Sequence, residues 1–185
     1  MDLLREQDIQ IPNLEEVIRF TASAHAGQVR KYTGEAYIVH PAEVAGWTAS
    51  AFVNDPLPQV PAALAIAVAW GHDLIEDTMK HLTVKQREAL LTAKFGPHFA
   101  YGVMSLSDLE EGNRAARKAA GVGRLASLPG WLQTIKCADS ISNTRSIRHH
   151  DPKFWPTYRD EKLALIPRLT KADPFLHALA LSLLE

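Results

Sequence analysis

The densest concentration of reactive side chains is Trp70-Gly71-His72-Asp73-Leu74-Ile75-Glu76-Asp77-Thr78, which follows the alanine-rich apolar run Ala62 to Ala69. Four groups able to bind a metal or move a proton, His72, Asp73, Glu76 and Asp77, fall within six residues. Burying them unpaired at the end of an apolar helix is costly. A divalent cation satisfies an imidazole and several carboxylates together. Asp73 stands i,i+3 from Glu76 and i,i+4 from Asp77, so a continuing helix places the three carboxylates near one face. An isolated His-Asp pair reads as a capped turn with solvated acids; the continuation into Glu-Asp-Thr points to a site.

A metal site needs further ligands, and His40 and Asp139 are the candidates. His40 directly precedes Pro41, a residue suited to the first turn of a helix, so its imidazole is expected to project from a loop into the domain. Asp139 lies among Ile135, Cys137, Ala138 and Ile141, with Asn143 four residues on sharing its face. Two histidines and two aspartates leave coordination positions open for water and phosphate oxygens, which hydrolysis requires. The other histidines call for no such role. His81, His98, His149, His150 and His177 are expected at the surface or in caps, and His25 in a structural hydrogen bond of the first helix.

The elements that must position these groups read as helices throughout. Asn13 with Glu16, and Thr83 with Gln86, have the spacing of capping boxes. The pattern predicts helices from Asn13, from Pro41 to about Phe52, from Pro61 into His72-Asp73, and from Thr83 to Phe95-Gly96. Asn54 to Pro58 is a break. Further helices are expected from Pro97, from Arg114 to Arg124 with interruptions at Gly121 and Gly123, from Pro129 to about His149, and from Pro152 onward. Residues 108–112 read as a loop. Strand-type alternation is absent, so the expectation is one all-α domain over residues 1–185, a bundle of eight or more helices.

The bulk composition is that of an ordinary soluble globular protein. The chain has 185 residues, 46% of them hydrophobic and 22% charged, and a net charge of -1. That balance argues against a nucleic-acid-binding role, so an anionic ligand must meet a local basic cluster. The single cysteine, Cys137, excludes a disulfide framework and a Cys-rich zinc site and reads as a small buried hydrophobe. No signal peptide is apparent at the N-terminus, and no apolar run reaches the ~20 residues that span a bilayer. A cytoplasmic location with no membrane contact is the expectation. The apolar run from 175 to 184 suits either the core or a helix-pairing surface, which leaves a homo-oligomer open.

The order His40…His72-Asp73…Asp139 resembles the metal-ligand signature of the HD-domain phosphohydrolases, and the surrounding strings narrow the resemblance. Ala24-His25-Ala26-Gly27-Gln28-Val29-Arg30-Lys31 followed by Gly34-Glu35-Ala36-Tyr37-Ile38-Val39-His40-Pro41 is similar to the opening of the hydrolase domain of RelA/SpoT-type enzymes. His72 to Thr78 is similar to that family's second motif, and Lys136 to Arg145 to its last. The resemblance spans roughly residues 14 to 170. It implies hydrolysis of the 3'-pyrophosphate of guanosine alarmones, ppGpp or pppGpp, to GDP or GTP plus pyrophosphate. It also implies one ion, typically manganese, on His40, His72, Asp73 and Asp139; the donor set alone equally admits zinc or iron.

By the same resemblance Glu76 and Asp77 orient or deprotonate the attacking water, and Asn143 contacts the nucleotide near the metal. Arg30 and Lys31 correspond to a pair lining the nucleotide pocket. Arg114, Arg159 and Ser146 correspond to shorter matches that serve the phosphates and the ribose or base. The chain departs from the family in the loop facing the nucleotide. It carries one extra residue around Tyr32-Thr33, and Ala36 replaces a usual proline. Two other readings keep part of this pattern: the same chemistry on an adenosine alarmone or NADPH, and an antitoxin or partner-binding protein for an alarmone synthetase.

Overall fold

In a computed structural model, described over residues 9–54 and 60–185, the chain is a bundle of α-helices. They are α1 (Leu14–Ala24), α2 (Val39–Asn54), α3 (Ala62–Gly71), α4 (Leu74–Asp77) and α5 (Val84–Phe95), then α6 (Pro97–Leu106), α7 (Arg114–Ser127), α8 (Gly130–His150), α9 (Trp155–Leu165) and α10 (Pro174–Ser182). A 3-10 turn, Ile166–Arg168, joins α9 to the last connection. The expected all-α bundle is the fold observed.

Local chemistry starts these helices where the sequence places the caps. The Asn13 side chain accepts from the Glu16 amide, and Thr83 and Gln86 form both halves of a capping box. Asn113 caps α7 and Asp173 caps α10 in the same way. Between α5 and α6, Gly96 adopts φ 89°, a backbone state that side chains resist, and Pro97 then opens α6.

Helix α3 is apolar on all sides and lies at the centre, against α1, α2, α6 and α8. Its Leu64, Ala65, Ala67, Val68 and Ala69 are fully buried. Small residues let the neighbours come close. A Cβ on Gly102 of α6 would stand 2.7 Å from Val68 of α3 and 3.0 Å from Trp131 of α8, so only glycine permits that approach. Long, mostly buried α8 crosses both α2 and α3. These three central helices carry or end on three of the proposed ligands, and Asp73 opens the short α4 beside them.

Several boundaries differ from expectation. Helix α2 begins at Val39, not Pro41, so His40 belongs to its first turn rather than to a loop. The first amides of a helix have no intrahelical acceptor, and proline is accommodated there without losing a bond. The helix before the acidic cluster stops at Gly71; His72 closes α3 and Asp73 opens the short α4. Helix α7 runs unbroken through Gly121 and Gly123, whose cost of about 1 kcal/mol each is small beside tertiary packing. His98 is buried, its Nδ1 accepting from the Gln10 amide, not exposed. One isolated antiparallel bridge, Val29 to Ala36, closes the loop before α2. The break expected at 54–58 lies largely outside the described residues. Cys137 is buried, and Leu176, Ala180 and Leu184 of the C-terminal run join the core.

Candidate metal centre and its cleft

Four donor atoms converge where α2, α3 and α8 meet. His40 comes from the first turn of α2, His72 from the end of α3, and Asp139 from the middle of α8. One ligand atom from each lies within 4.8 Å of the other two, and all three residues are buried. His40 Nε2 stands 3.2 Å from His72 Nε2. Asp73 Oδ2 is 3.2 Å from His40 Nε2 and 3.1 Å from His72 Nε2, while Asp139 Oδ1 is 3.5 and 3.9 Å from the same nitrogens. The structure thus gathers His40, His72 and Asp139 into one buried group and sets Asp73 against both imidazoles.

The remaining bonds fix how these groups face inward. His72 Nδ1 donates to the Ala69 carbonyl at 2.7 Å, which leaves the Nε2 lone pair directed at the centre. His40 Nδ1 is 2.9 Å from Ser142 Oγ, and that hydroxyl in turn donates to Glu43 Oε2 at 2.7 Å. With its proton committed to Glu43, Ser142 accepts from His40 and sets the same tautomer. Asp139 Oδ1 accepts from Asn143 Nδ2 at 2.6 Å, and its Oδ2 pairs with Lys136 Nζ at 2.9 Å. Two inward imidazole lone pairs and two carboxylates are the donors a divalent cation takes, and they fit manganese, iron or zinc.

Burial and charge compete at each of these groups. Burial resists ionisation of Asp73, but His72 and His40 hold it well below the carboxylate range. Asp139 is likewise held low against burial, first by Lys136. For His72, burial disfavours the cation, yet Asp73, Asp139 and the Ala69 carbonyl together outweigh it and the imidazole rises to about 9. Glu76 moves the other way. Burial raises it, with Lys136 partly opposing, while its Oε1 accepts from the Asp108 amide at 2.8 Å.

Beside the centre a cleft of about 260 Å³ opens between α4, α7, α8 and α9. Asp73, Glu76 and Asp77 form its acidic wall. The Tyr37 hydroxyl lies 2.7 Å from both Asp73 Oδ2 and Asp77 Oδ2, so a single phenolic proton ties the two carboxylates together. Arg114, Arg117 and Lys118 of α7 face them, with Lys136 and Lys162 on the adjoining helices. Arg114 is bound by Glu161 through two bonds of 2.6 and 2.7 Å.

The other expected contacts are scattered. Arg30 Nη1 donates to Asn143 Oδ1 at 3.3 Å, and Arg30 and Ser146 line a second, shallower depression that shares His40. Lys31 is exposed and engages Tyr32 and Asp151. Arg159 donates to the Leu184 carbonyl at 2.6 Å, and the residues lining the cleft do not include it. The sequence reading assigned no role to Tyr37, Glu43, Ser142, Lys136 or Lys162. Lys136 carried the clearest signal, a cation three residues before Asp139 within an otherwise apolar stretch.

No protein-family model matches the sequence, and no curated protein sequence matches it either. Among solved structures, the chain is similar to one described as a metazoan ortholog of SpoT that hydrolyzes ppGpp and plays a role in starvation responses. The match has a TM-score of 0.77 at 19% sequence identity and covers 92% of each chain. At that identity the likeness is one of fold, and it extends over nearly the whole molecule. Among the described residues no helix is long and apolar enough to cross a membrane.

Proposed function

We propose that this chain is a metal-dependent phosphohydrolase that removes pyrophosphate from the 3' position of guanosine alarmones. The observation that carries the reading is the convergence of His40, His72, Asp73 and Asp139 at the edge of a cleft with Glu76 on one wall and cations on the other. Water and the phosphate ester are the reactants. Pyrophosphate and the nucleoside 5'-diphosphate or 5'-triphosphate are the products.

A divalent cation bound by the four ligands would polarise phosphoryl oxygen and lower the pKa of water, the chemistry this reaction needs. The protein's own groups do the rest. Glu76, raised by burial and tethered to the Asp108 amide, is suited to accept a proton from the attacking water. Asp77 assists in orienting that water, held in place by Tyr37. Asn143, bonded to Asp139 and Arg30, is suited to contact the nucleotide, and Arg30 and Ser146, beside the depression next to His40, to meet its nucleoside; Lys31, engaged with Tyr32 and Asp151, has less support. Arg114 supplies positive charge toward the phosphates, released from or shared with Glu161. Arg159, which is engaged with Leu184, has less support in such a role.

Guanosine preference and manganese as the metal rest on the sequence resemblance alone; the fold neighbour is itself described as hydrolysing ppGpp. The test is a panel of ppGpp, pppGpp, adenosine alarmone and NADPH with manganese, zinc or iron, assaying phosphate and pyrophosphate separately. Pyrophosphate from guanosine alarmones with manganese supports the proposal. Phosphate alone from NADPH, with no alarmone cleaved, would move the same site to a different substrate.

A further inference from the structure

The cations lining the cleft differ in one respect: whether an acid already neutralises them. Arg114 is held by Glu161, Arg117 and Lys118 by Asp108, Arg124 by Glu110 and Lys136 by Asp139. Lys162 lines the same cleft and has no ion pair among the described residues; its Nζ lies 5.1 Å from the Tyr158 ring centroid. It is partly buried, and Lys136 and Lys118 are close enough to act against its charge. Burial brings it down to about 8; Asp139 and Glu161 oppose that fall without forming an ion pair, and Lys136 and Lys118 add to it.

One turn away on α9, Tyr158 lines the cleft with a hydroxyl that is 95% buried by residue and lacks a well-formed hydrogen bond, the Thr144 side chain being its polar neighbour. The i,i+4 spacing puts the ammonium and this phenol on one helix face. A half-buried cation with no ion pair, beside an unsatisfied donor, is completed by an anion rich in acceptor oxygens.

We infer that Lys162, assisted by Tyr158, binds the distal phosphoryl group of a diphosphate whose proximal phosphoryl occupies the four-ligand centre. The inference rests on the proposed function and deepens it, making Lys162 the residue that distinguishes a pyrophosphate ester from a monophosphate ester. Of the cleft's cations, Lys162 is the one with charge to give without first breaking a salt bridge.

The test uses the manganese-loaded full chain and two inorganic probes, pyrophosphate and phosphate, with affinities measured by calorimetry. Lys162→Met is expected to weaken pyrophosphate binding at least about tenfold, the usual worth of a charge-assisted hydrogen bond, and phosphate binding much less. Lys162→Arg is expected to restore most of the loss, and Tyr158→Phe to give a smaller selective loss. Manganese affinity, measured on each variant, reports that the fold and centre survive. Equal weakening of both anions, or pyrophosphate binding unchanged in Lys162→Met, overturns the inference. If the wild-type chain cleaves no alarmone yet binds pyrophosphate through Lys162, the inference stands and the proposed function falls. If it cleaves ppGpp while Lys162→Met binds pyrophosphate normally, the reverse holds.

Discussion

His40 Nε2 and His72 Nε2 stand 3.2 Å apart, and the outer nitrogen of each ring is already engaged, by Ser142 and by the Ala69 carbonyl. Both inner nitrogens therefore face the same point as Asp73 and Asp139. One shared proton cannot satisfy four such donors. A divalent cation can.

Metal binding should accordingly stabilise the fold. With manganese at a hundredfold excess over its dissociation constant, linkage gives about 2.7 kcal/mol, seen as a raised melting temperature that a chelator reverses. Asp139→Ala should lose that shift. A metal-dependent shift of undiminished size in Asp139→Ala would remove Asp139 from the ligand set.

Ser142 controls the tautomer of His40 without touching the centre. Replacing it with alanine severs His40 Nδ1 from Glu43, and outer-shell losses of this kind weaken metal binding by about 10–100-fold. Ser142→Thr keeps the hydroxyl and should bind close to wild type. Competition with a fluorescent chelator separates the two outcomes.

Glu76 is assigned to proton transfer, not to metal binding. Glu76→Gln preserves shape and should lower kcat by about 10²–10⁴-fold, with manganese affinity essentially unchanged. Steady-state kinetics and metal titration on the same preparation check both halves. Loss of metal affinity would instead make Glu76 a ligand.

Lys162 gives a stability signature of its own. Its folded value of about 8 lies below the 10.5 of a free lysine, so the folded state holds its proton less tightly than the unfolded chain. The resulting destabilisation is fully present below pH 8 and fades as pH rises toward 10.5. Lys162→Met should therefore raise the melting temperature at pH 7, and the gain should shrink between pH 8 and 10. Denaturation at several pH values tests it, and a pH-independent gain would trace the effect to packing alone.

How much was legible in the sequence follows the range of the interactions. Local ones were readable: the caps at Asn13 and Thr83, the proline start of α6 and the buried character of α3 are set by residues a turn apart. The four donors were named because their types and order resemble a known motif; α2, α3 and α8 bring His40, His72 and Asp139 together, and the start of α4 sets Asp73 beside them. The Tyr37 bond that joins Asp73 to Asp77, and the Ser142–Glu43 link behind His40, cross 36 to 102 residues of sequence, where no periodicity points. Lys162 was hidden for a related reason. A lysine followed by Leu-Ala-Leu reads as an ordinary amphipathic position until α7 and α8 close over it. The neighbouring Arg159 attracted attention by resemblance, but its guanidinium is spent on the end of the chain.

Pyrophosphate release from ppGpp, followed with and without manganese in the wild-type chain and in Asp139→Ala, tests the central claim most directly. The account predicts stoichiometric GDP and pyrophosphate that require the metal and vanish in the variant. Equal release from both proteins, or no pyrophosphate from any guanosine or adenosine alarmone with any of the three metals, would contradict it.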